Sequence, residues 1–494
     1  MRIGEAIRSE TAWGKTWNGA DTLVTTFNKC LDMFGRAGAM RNADVEDKKQ
    51  LFADAYDEDP DMAMKLLFYT RDIRGGYGER QTFIDMVTWL ANRHPESVEK
   101  NLWAFLEYGR AKDLYALVGT PAEDAMWEFM KAQFELDLRN MRAGKGISLL
   151  AKWIATPDAS SLATAVLGKK TAFKLGYNFK TMRDYKRKLR AMRAYLDIPE
   201  AKMSTGRWSE IEYANVPSQC FLRNKDAFMS HDGERYSDFI NAVNKGEAKI
   251  NTAAMTPCDI MMKVRKNYSS DLETMWANLQ DYCDANALVM CDTSGSMSGW
   301  GWESTMQPID VAVSLSMYFA ERNKGDLKNL FMTFETNPHF IEIKGDTLKK
   351  KFENIFKAPW DGSTNLERAF DALLEVCQNH CVQPDEMPDA IVVISDMQIN
   401  SCIYGTVGTN NKLTFYEQMS RKYEAAGYKL PQVIFWNVNA INPSFHASAT
   451  QGGVSLVSGY SPAVFKAVMQ NIGKTPLDLM LSIVSSERYA NIVA

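Results

Sequence analysis

No window of this 494-residue chain approaches the roughly 20 consecutive apolar residues that a helix needs to cross a bilayer. The opening residues Met1-Arg2-Ile3-Gly4-Glu5-Ala6-Ile7-Arg8 carry no apolar stretch behind their charges, so no secretory leader is read there. Cysteine is sparse: eight are spread too thinly for a disulfide framework, and Cys220, Cys283 and Cys291 stand inside apolar runs, as reduced thiols do. The expectation is a cytoplasmic protein with no membrane partner. Histidine is scarcer still, five in all, and none stands in a recognisable nucleophile–base arrangement. No catalytic residue is assigned and the chain is expected not to be an enzyme. The cluster Cys377-Gln-Asn-His380-Cys381 has no second pair at ligand spacing and reads as structural rather than as a zinc site. The carboxylates of Asp57, Glu58, Asp59 and Asp61 read as a helix-start cluster rather than a glycosidase pair.

What is present suits two or three domains: 46% apolar and 24% charged residues lie in the globular range. The formal charge of −4 conceals an asymmetry. Residues 1–283 hold 41 Lys and Arg against 39 Asp and Glu, whereas residues 284–494 hold 16 against 22. The hydrophobic pattern changes at the same place. From Asp21 to about Asn278 apolar residues recur at three and four, as in Met62, Met64, Leu67, Phe68 and then Phe83, Met86, Val87, Leu90, which is helical spacing. Breaks at Arg74-Gly75-Gly76-Tyr77-Gly78, His94-Pro95, Gly119-Thr120-Pro121, Pro157-Asp158 and Ile198-Pro199 divide this half into short helices, as in an irregular helical-repeat solenoid of HEAT-like type. No motif recurs at a fixed period. After Asp284, short apolar runs at 287–291, 330–334, 340–343, 391–394, 433–436 and 454–457 alternate with helix-length segments at 308–322, 365–378, 412–426 and 461–471. Such runs read as buried parallel strands of an α/β sheet. The expected domains are therefore 1–283, helical; 284–475, α/β; and 476–494, a tail packing back on the helical region.

Ligands of such sheets bind beyond the carboxyl ends of the strands, and polar residues collect there. Asp292-Thr293-Ser294-Gly295-Ser296 leaves the first run on a Gly-containing turn, offering one carboxylate and two hydroxyls at alternate positions. Gly362-Ser363-Thr364-Asn365 opens a helix, and Ser395-Asp396-Met397 follows the run 391–394. Only hard oxygen ligands are offered, which suits Mg²⁺ or Mn²⁺. The D-x-S-x-S turn, the later Thr and the later Asp resemble the metal-ion-dependent adhesion site of the von Willebrand A family, a Rossmann-like, doubly wound fold. That resemblance implies Asp292, Ser294, Ser296, Thr364 and Asp396 as ligands, directly or through water.

In the helical half, Phe68-Tyr-Thr-Arg71-Asp72-Ile-Arg74-Gly75-Gly76-Tyr-Gly78-Glu79-Arg80 is similar to the signature of TROVE-related proteins, which include the Ro autoantigen. Arg207-Trp208-Ser209, Lys249-Ile250, Asp292-Thr-Ser-Gly-Ser-Met297, Val433-Ile-Phe-Trp436-Asn437 and Val457-Ser-Gly459 extend the resemblance over nearly the full length, to a Ro-like family that joins such a helical region to a von Willebrand A domain. Ro proteins close helical repeats into a ring and bind single-stranded and structured RNA, so the resemblance implies a ribonucleoprotein scaffold. The residues add their own argument. Lys169, Lys170, Lys174, Lys180, Arg183, Lys186, Arg187, Lys188, Arg190 and Arg193 face only Asp184 within residues 169–193, with Phe173, Tyr177, Phe179 and Tyr185 among them. Cations meet phosphate and aromatics stack on unpaired bases; a solvated amphipathic helix is the rival reading. Arg71, Arg74 and Arg80 likewise read either as a phosphate cradle or as partners of Asp72 and Glu79. The partners expected are RNA and, as the alternative, a protein whose carboxylate is captured by the ion.

Overall fold

A computed structural model describes residues 12–298, 306–334, 337–357, 364–399 and 413–494. The chain divides into two compact units. One comprises the stretch up to Leu66, Gly75–Glu79 and Met255–Ala490; the other comprises Leu67–Arg74, Arg80–Ala254 and Asn491–Ala494. The first unit thus takes in residues on both sides of position 283.

The first unit is built on a six-stranded sheet. Its strands are β3 (Ala287–Asp292), β4 (Leu330–Phe334), β5 (His339–Glu342), β6 (Ala390–Ser395), β7 (Gln432–Asn437) and β8 (Val454–Ser458), after a small N-terminal hairpin of β1 (Trp13–Lys15) and β2 (Asp21–Leu23). The order in the sheet is β5-β4-β3-β6-β7-β8. Counted from its own first strand this is 3-2-1-4-5-6, the doubly wound order whose direction of travel reverses between strands one and four. Four pairings are parallel. β5, however, runs antiparallel to β4, Thr333 facing His339 and Leu330 facing Glu342, which corrects the expectation that every run is a parallel strand. Only four residues separate Phe334 from His339, too few for the dozen or more that a parallel crossover takes.

Alternation within the buried strands places side chains on both faces. On one, Leu288, Met290, Ile391, Val393, Val433 and Phe435 meet helices Leu366–Asn379 and Phe415–Ala425 and the hairpin residues Ala20 and Leu23. On the other, Phe319 of helix Pro308–Arg322 packs on Trp436 and on Phe465. The N-terminal segment belongs to this unit. The expected helix pattern from Asp21 gives way to β2, whose Leu23 exchanges backbone hydrogen bonds with Phe445. Helix Lys29–Ala37 then lies against β8: the Ser458 hydroxyl donates to the Phe34 carbonyl (3.2 Å) and accepts from the Gly38 N–H (3.1 Å).

The second unit is helical. Its longer helices are Arg80–Arg93, Glu123–Arg142, Leu162–Lys174, Met182–Tyr195 and Ser218–Asn244, the last kinked at Asp232. Phe68, Phe83, Phe105 and Tyr108 form an aromatic cluster in its core. The chain's last residues join it, Asn101 donating to the Val493 carbonyl at 2.6 Å. No described helix is long and apolar enough to cross a membrane.

One close contact sets the position of helix Leu162–Lys174 in that unit. A Cβ on Gly168 would lie 2.3 Å from the Thr156 carbonyl carbon and 2.5 Å from the Pro157 nitrogen. Glycine to alanine inside a helix ordinarily stabilises by about 1 kcal/mol; here backbone must move, as in overpacking, which costs about 1–3 kcal/mol. Gly168→Ala is therefore expected to lower the urea midpoint, and a raised midpoint contradicts the contact.

Candidate functional site

β3 ends in Asp292 and β6 ends in Ser395, followed by Asp396, so both carboxylates stand at the reversal point of the sheet, beyond the carboxyl ends of neighbouring parallel strands. Asp292 is held from two sides. The Ser294 N–H donates to its Oδ1 at 2.9 Å and the Ser395 hydroxyl to its Oδ2 at 2.5 Å. Asp396 accepts the Gln398 N–H at 3.0 Å, across a turn in which Met397 takes the left-handed φ of 64°. The hydroxyls of Ser294 and Ser296 lie 3.1 Å apart. Thr364 stands before helix Leu366–Asn379, whose N-cap Asn365 accepts the Arg368 N–H. Gly362 and Ser363 lie outside the described residues.

Asp292 is fully buried and Asp396 is 3% exposed, whereas Ser296 is exposed and opens the site to solvent. Burial raises the pKa of Asp292, and the charge of Asp396 raises it further, against the hydrogen bonds from Ser294 and Ser395. Burial likewise raises Asp396, offset by bonds from the Gln398 N–H and from Ser296. Among the described residues no lysine or arginine pairs with either. Two adjacent buried carboxylates of like charge are costly unless something positive or a shared proton compensates them. Among the described residues the side chains bonded to them offer oxygen only, the hydroxyls of Ser294 and Ser395 at Asp292 and of Ser296 at Asp396, with the Thr364 hydroxyl linked to the Gln398 carbonyl through the Asn18 amide. That set fits a hard divalent cation of the Mg²⁺ type, which is content with few carboxylates and several neutral oxygens. No cluster of three or more His, Cys, Asp or Glu that could hold a metal occurs among the described residues; the set is instead two carboxylates with hydroxyls.

The N-terminal hairpin was not foreseen at this site. At its tip the Thr16 hydroxyl donates to the Ile399 carbonyl (2.6 Å) and the Trp17 N–H to Gln398 Oε1 (2.8 Å). The Asn18 amide donates to the Gln398 carbonyl (2.5 Å) and to Thr364 Oγ1 (3.3 Å). Two strands of three residues around a polar turn carry no periodicity, so the sequence held no signal for it. Behind the Asp396 turn, His446 lies buried near Phe415 and Phe435, its Nε2 donating to the Met397 carbonyl at 3.2 Å.

In the helical unit the basic residues separate into two groups. Lys170 and Lys174 pair with Glu123 and Asp124, Lys186 with Asp158, and Arg187 and Lys188 with Asp184. Arg193 donates to the carbonyls of Ala151 and Ile154 and to the Thr156 hydroxyl. Lys169, Lys180, Arg183 and Arg190 are exposed and have no partner among the described residues. Of the aromatics, Tyr185 is buried, whereas Phe179 is 83% and Phe173 40% exposed, their rings edge to face at 5.0 Å. Phe173 also lines a shallow groove of about 430 Å³ with Val166, Lys169, Lys170 and Lys174.

The Arg71 to Arg80 loop resolves toward internal pairing, with a partner other than those expected. Arg71, 2% exposed, and Arg80 bond the two oxygens of Asp113 at 2.7 and 2.6 Å. Arg74 stands 3.8 Å from Glu107. Glu79 pairs with Arg41, and Asp72 accepts the Arg74 N–H. Of the acidic cluster, Glu58 accepts the Lys29 N–H at the start of helix Lys29–Ala37, and Asp59 accepts the Met62 N–H. Cys377 is buried with its sulfur 3.5 Å from that of Met387, and Cys381 is exposed.

The fold and site define a class: a doubly wound α/β unit with an acidic, hydroxyl-lined reversal point, joined in one chain to a helical unit. The chain belongs to the family described as Domain of unknown function (DUF2828), whose model matches residues 16–143 and 130–289, more than half its length. The model of a second family, Domain of unknown function (DUF7788), matches residues 286–482. The chain is 26% identical over 511 aligned residues to Uncharacterized protein L728 of Acanthamoeba polyphaga mimivirus, covering 95% of this chain and 86% of that one. Among solved structures it is similar to the Deinococcus radiodurans Ro (RSR) protein, 14% identical with a TM-score of 0.46, over 85% of this chain and 93% of that one. That likeness is too distant to argue from.

Burial pushes the His446 imidazole down to about 4, against the pull of the Met397 carbonyl. A base with a depressed folded-state pKa is neutral in the fold while the unfolded chain takes up a proton. Its stabilising contribution is thus complete above the ordinary pKa of about 6.5 and is lost as pH falls from there toward 4. His446→Leu is expected to flatten the fall in melting temperature between neutral and acid pH relative to wild type; parallel curves contradict this assignment.

Proposed function

We propose that this chain is a binding scaffold, not an enzyme, whose α/β unit is a von Willebrand A-type domain holding one Mg²⁺ or Mn²⁺ ion. The observation that carries this reading is the pair of buried carboxylates, Asp292 and Asp396, set side by side among hydroxyls with no cationic side chain paired to them among the described residues. Asp292, Ser294, Ser296, Thr364 and Asp396 would hold the ion, directly or through water. When bound, the ion supplies a Lewis-acidic position able to take an anionic oxygen, here the carboxylate of a partner protein. Ser294 and Ser395 orient Asp292, the Met397 turn aims Asp396, and exposed Ser296 marks the side from which the ligand approaches.

Melting in chelator and in excess Mg²⁺ or Mn²⁺ tests this. Asp292→Asn and Asp396→Asn each remove one of two like charges, so in chelator at neutral pH both are expected to melt at or above the wild-type temperature. The cation should raise wild type alone, by about 2.7 kcal/mol at a hundredfold excess over its dissociation constant. Equal stabilisation of both variants by the cation contradicts the site.

A second reading concerns the helical unit and is favoured by its own observation: unpaired Lys169 and Lys180 flank the exposed Phe173 and Phe179, with Arg183 and Arg190 on the next helix. We propose that this surface binds single-stranded RNA, phosphates meeting the four free cations and a base stacking on the phenylalanines. With four contacts at roughly −0.7 each, log affinity for poly(U) should fall against log salt with a slope of about −3. Changing Lys169, Lys180, Arg183 and Arg190 to Glu should abolish most of that slope, and Phe179→Ala should cost about 1–3 kcal/mol. Wild-type affinity and slope in a folded fourfold variant overturn the reading.

A further inference from the structure

We infer that the tip of the N-terminal hairpin is a fourth loop of the cation site, and that Asn18 is its positioning residue. This rests on the reading of Asp292 and Asp396 given above.

The geometry is specific to one side chain. The Gln398 carbonyl can only accept, so the Asn18 atom beside it, 2.5 Å away, is the amide nitrogen. That NH₂ group has two hydrogens. One is spent on Gln398, in the turn that carries Asp396, and the other reaches Thr364 Oγ1 at 3.3 Å. One amide thus links two of the three loops that contribute oxygens. A threonine hydroxyl has one hydrogen and two lone pairs; with one lone pair accepting from Asn18, the other is left for the ion or its bound water. Without Asn18 the hydroxyl is free to rotate, and Thr364 is tied to the Asp396 turn by no other bond among the described residues.

The tip is itself anchored, so it can hold what it touches. Thr16 bonds Ile399, and the Thr16 hydroxyl also accepts the Ala20 N–H at 2.9 Å, closing the turn. Gly19 supplies the φ of 88° that the turn requires. At the other end β2 is fastened to Phe445 through Leu23 and through the Thr22 hydroxyl (3.0 Å). Phe445 is followed by His446, whose ring bonds Met397, and Ser444 donates to the same carbonyl at 3.0 Å. The Asp396 turn is gripped from the hairpin on one side and from residues 444–446 on the other. Outer-sphere partners of this kind fix ligand orientation, and their loss ordinarily lowers metal affinity about 10- to 100-fold.

The test is calorimetric titration of the full chain with Mn²⁺ alone, on wild type, Asn18→Ala, Thr364→Ala and the double variant. Asn18→Leu, with the same number and branching of side-chain heavy atoms, serves as a second substitution should alanine loosen the turn. Lys15→Ala is the control, since it removes the exposed Lys15–Asp21 pair on the same hairpin (2.8 Å) without touching Gln398 or Thr364. The expected result is a loss of about tenfold or more in Asn18→Ala and Asn18→Leu, with the loss largely absent when Thr364 is already alanine, and Lys15→Ala within about twofold of wild type. Coupling between the two positions is what a merely structural turn would not produce. Wild-type affinity in both Asn18 variants overturns the inference while leaving the cation site standing; so does a loss that is fully additive with Thr364→Ala or is matched by Lys15→Ala. Absence of Mn²⁺ binding in wild type, or binding unaffected by Asp292→Ala, overturns the site and this inference together.

Discussion

Two carboxyl groups buried side by side impose the main condition on the α/β unit. Parallel strands β3 and β6 deliver Asp292 and Asp396 to one point, and the sheet order makes that point the reversal of the winding. Hydrogen bonds from Ser294, Ser395 and the Gln398 N–H lower the cost of the charged forms without removing it. What surrounds the pair is explained by that condition. Hydroxyls crowd it and the turns beside it are rigidly held. One of them bends through a positive φ at Met397, a strained conformation for a residue with a side chain. In the proposed reading a bound cation would offset the repulsion, which no described lysine or arginine does.

The strands were largely legible. Runs at 287–291, 330–334, 391–394, 433–436 and 454–457 differ from the observed elements by no more than a residue at either end, because a buried parallel strand is a continuous apolar run with polar residues at its ends. The direction of β5 was not read from its pattern, although the four-residue link before it held the information. The hairpin was illegible for a different reason. Trp13–Lys15 and Asp21–Leu23 are too short to show a period, and their partner Phe445 lies more than 400 residues away.

Charge was the least legible feature. The run from Lys169 to Arg193 has a single acid within it, yet Glu123, Asp124 and Asp158 come to it from other elements and pair with three of its lysines. The same holds for Arg71 and Arg80, whose common partner Asp113 lies 42 and 33 positions downstream. Asp113 and Arg71 are buried while Arg80 is partly exposed; removing Arg71 leaves buried charge uncompensated and costs about 3–5 kcal/mol. Local sequence shows how many charges a segment has. Only the fold shows which of them stand without an acidic partner among the described residues, here Lys169, Lys180, Arg183 and Arg190.

The most direct measurement of the central claim is anomalous X-ray scattering from crystals grown with Mn²⁺. The account predicts one strong peak within coordination distance of Asp292, Ser294 or Ser296, with Asp396 and Thr364 around it directly or through water. A map with no peak there, and Asp292 and Asp396 in direct contact through a shared proton, contradicts it.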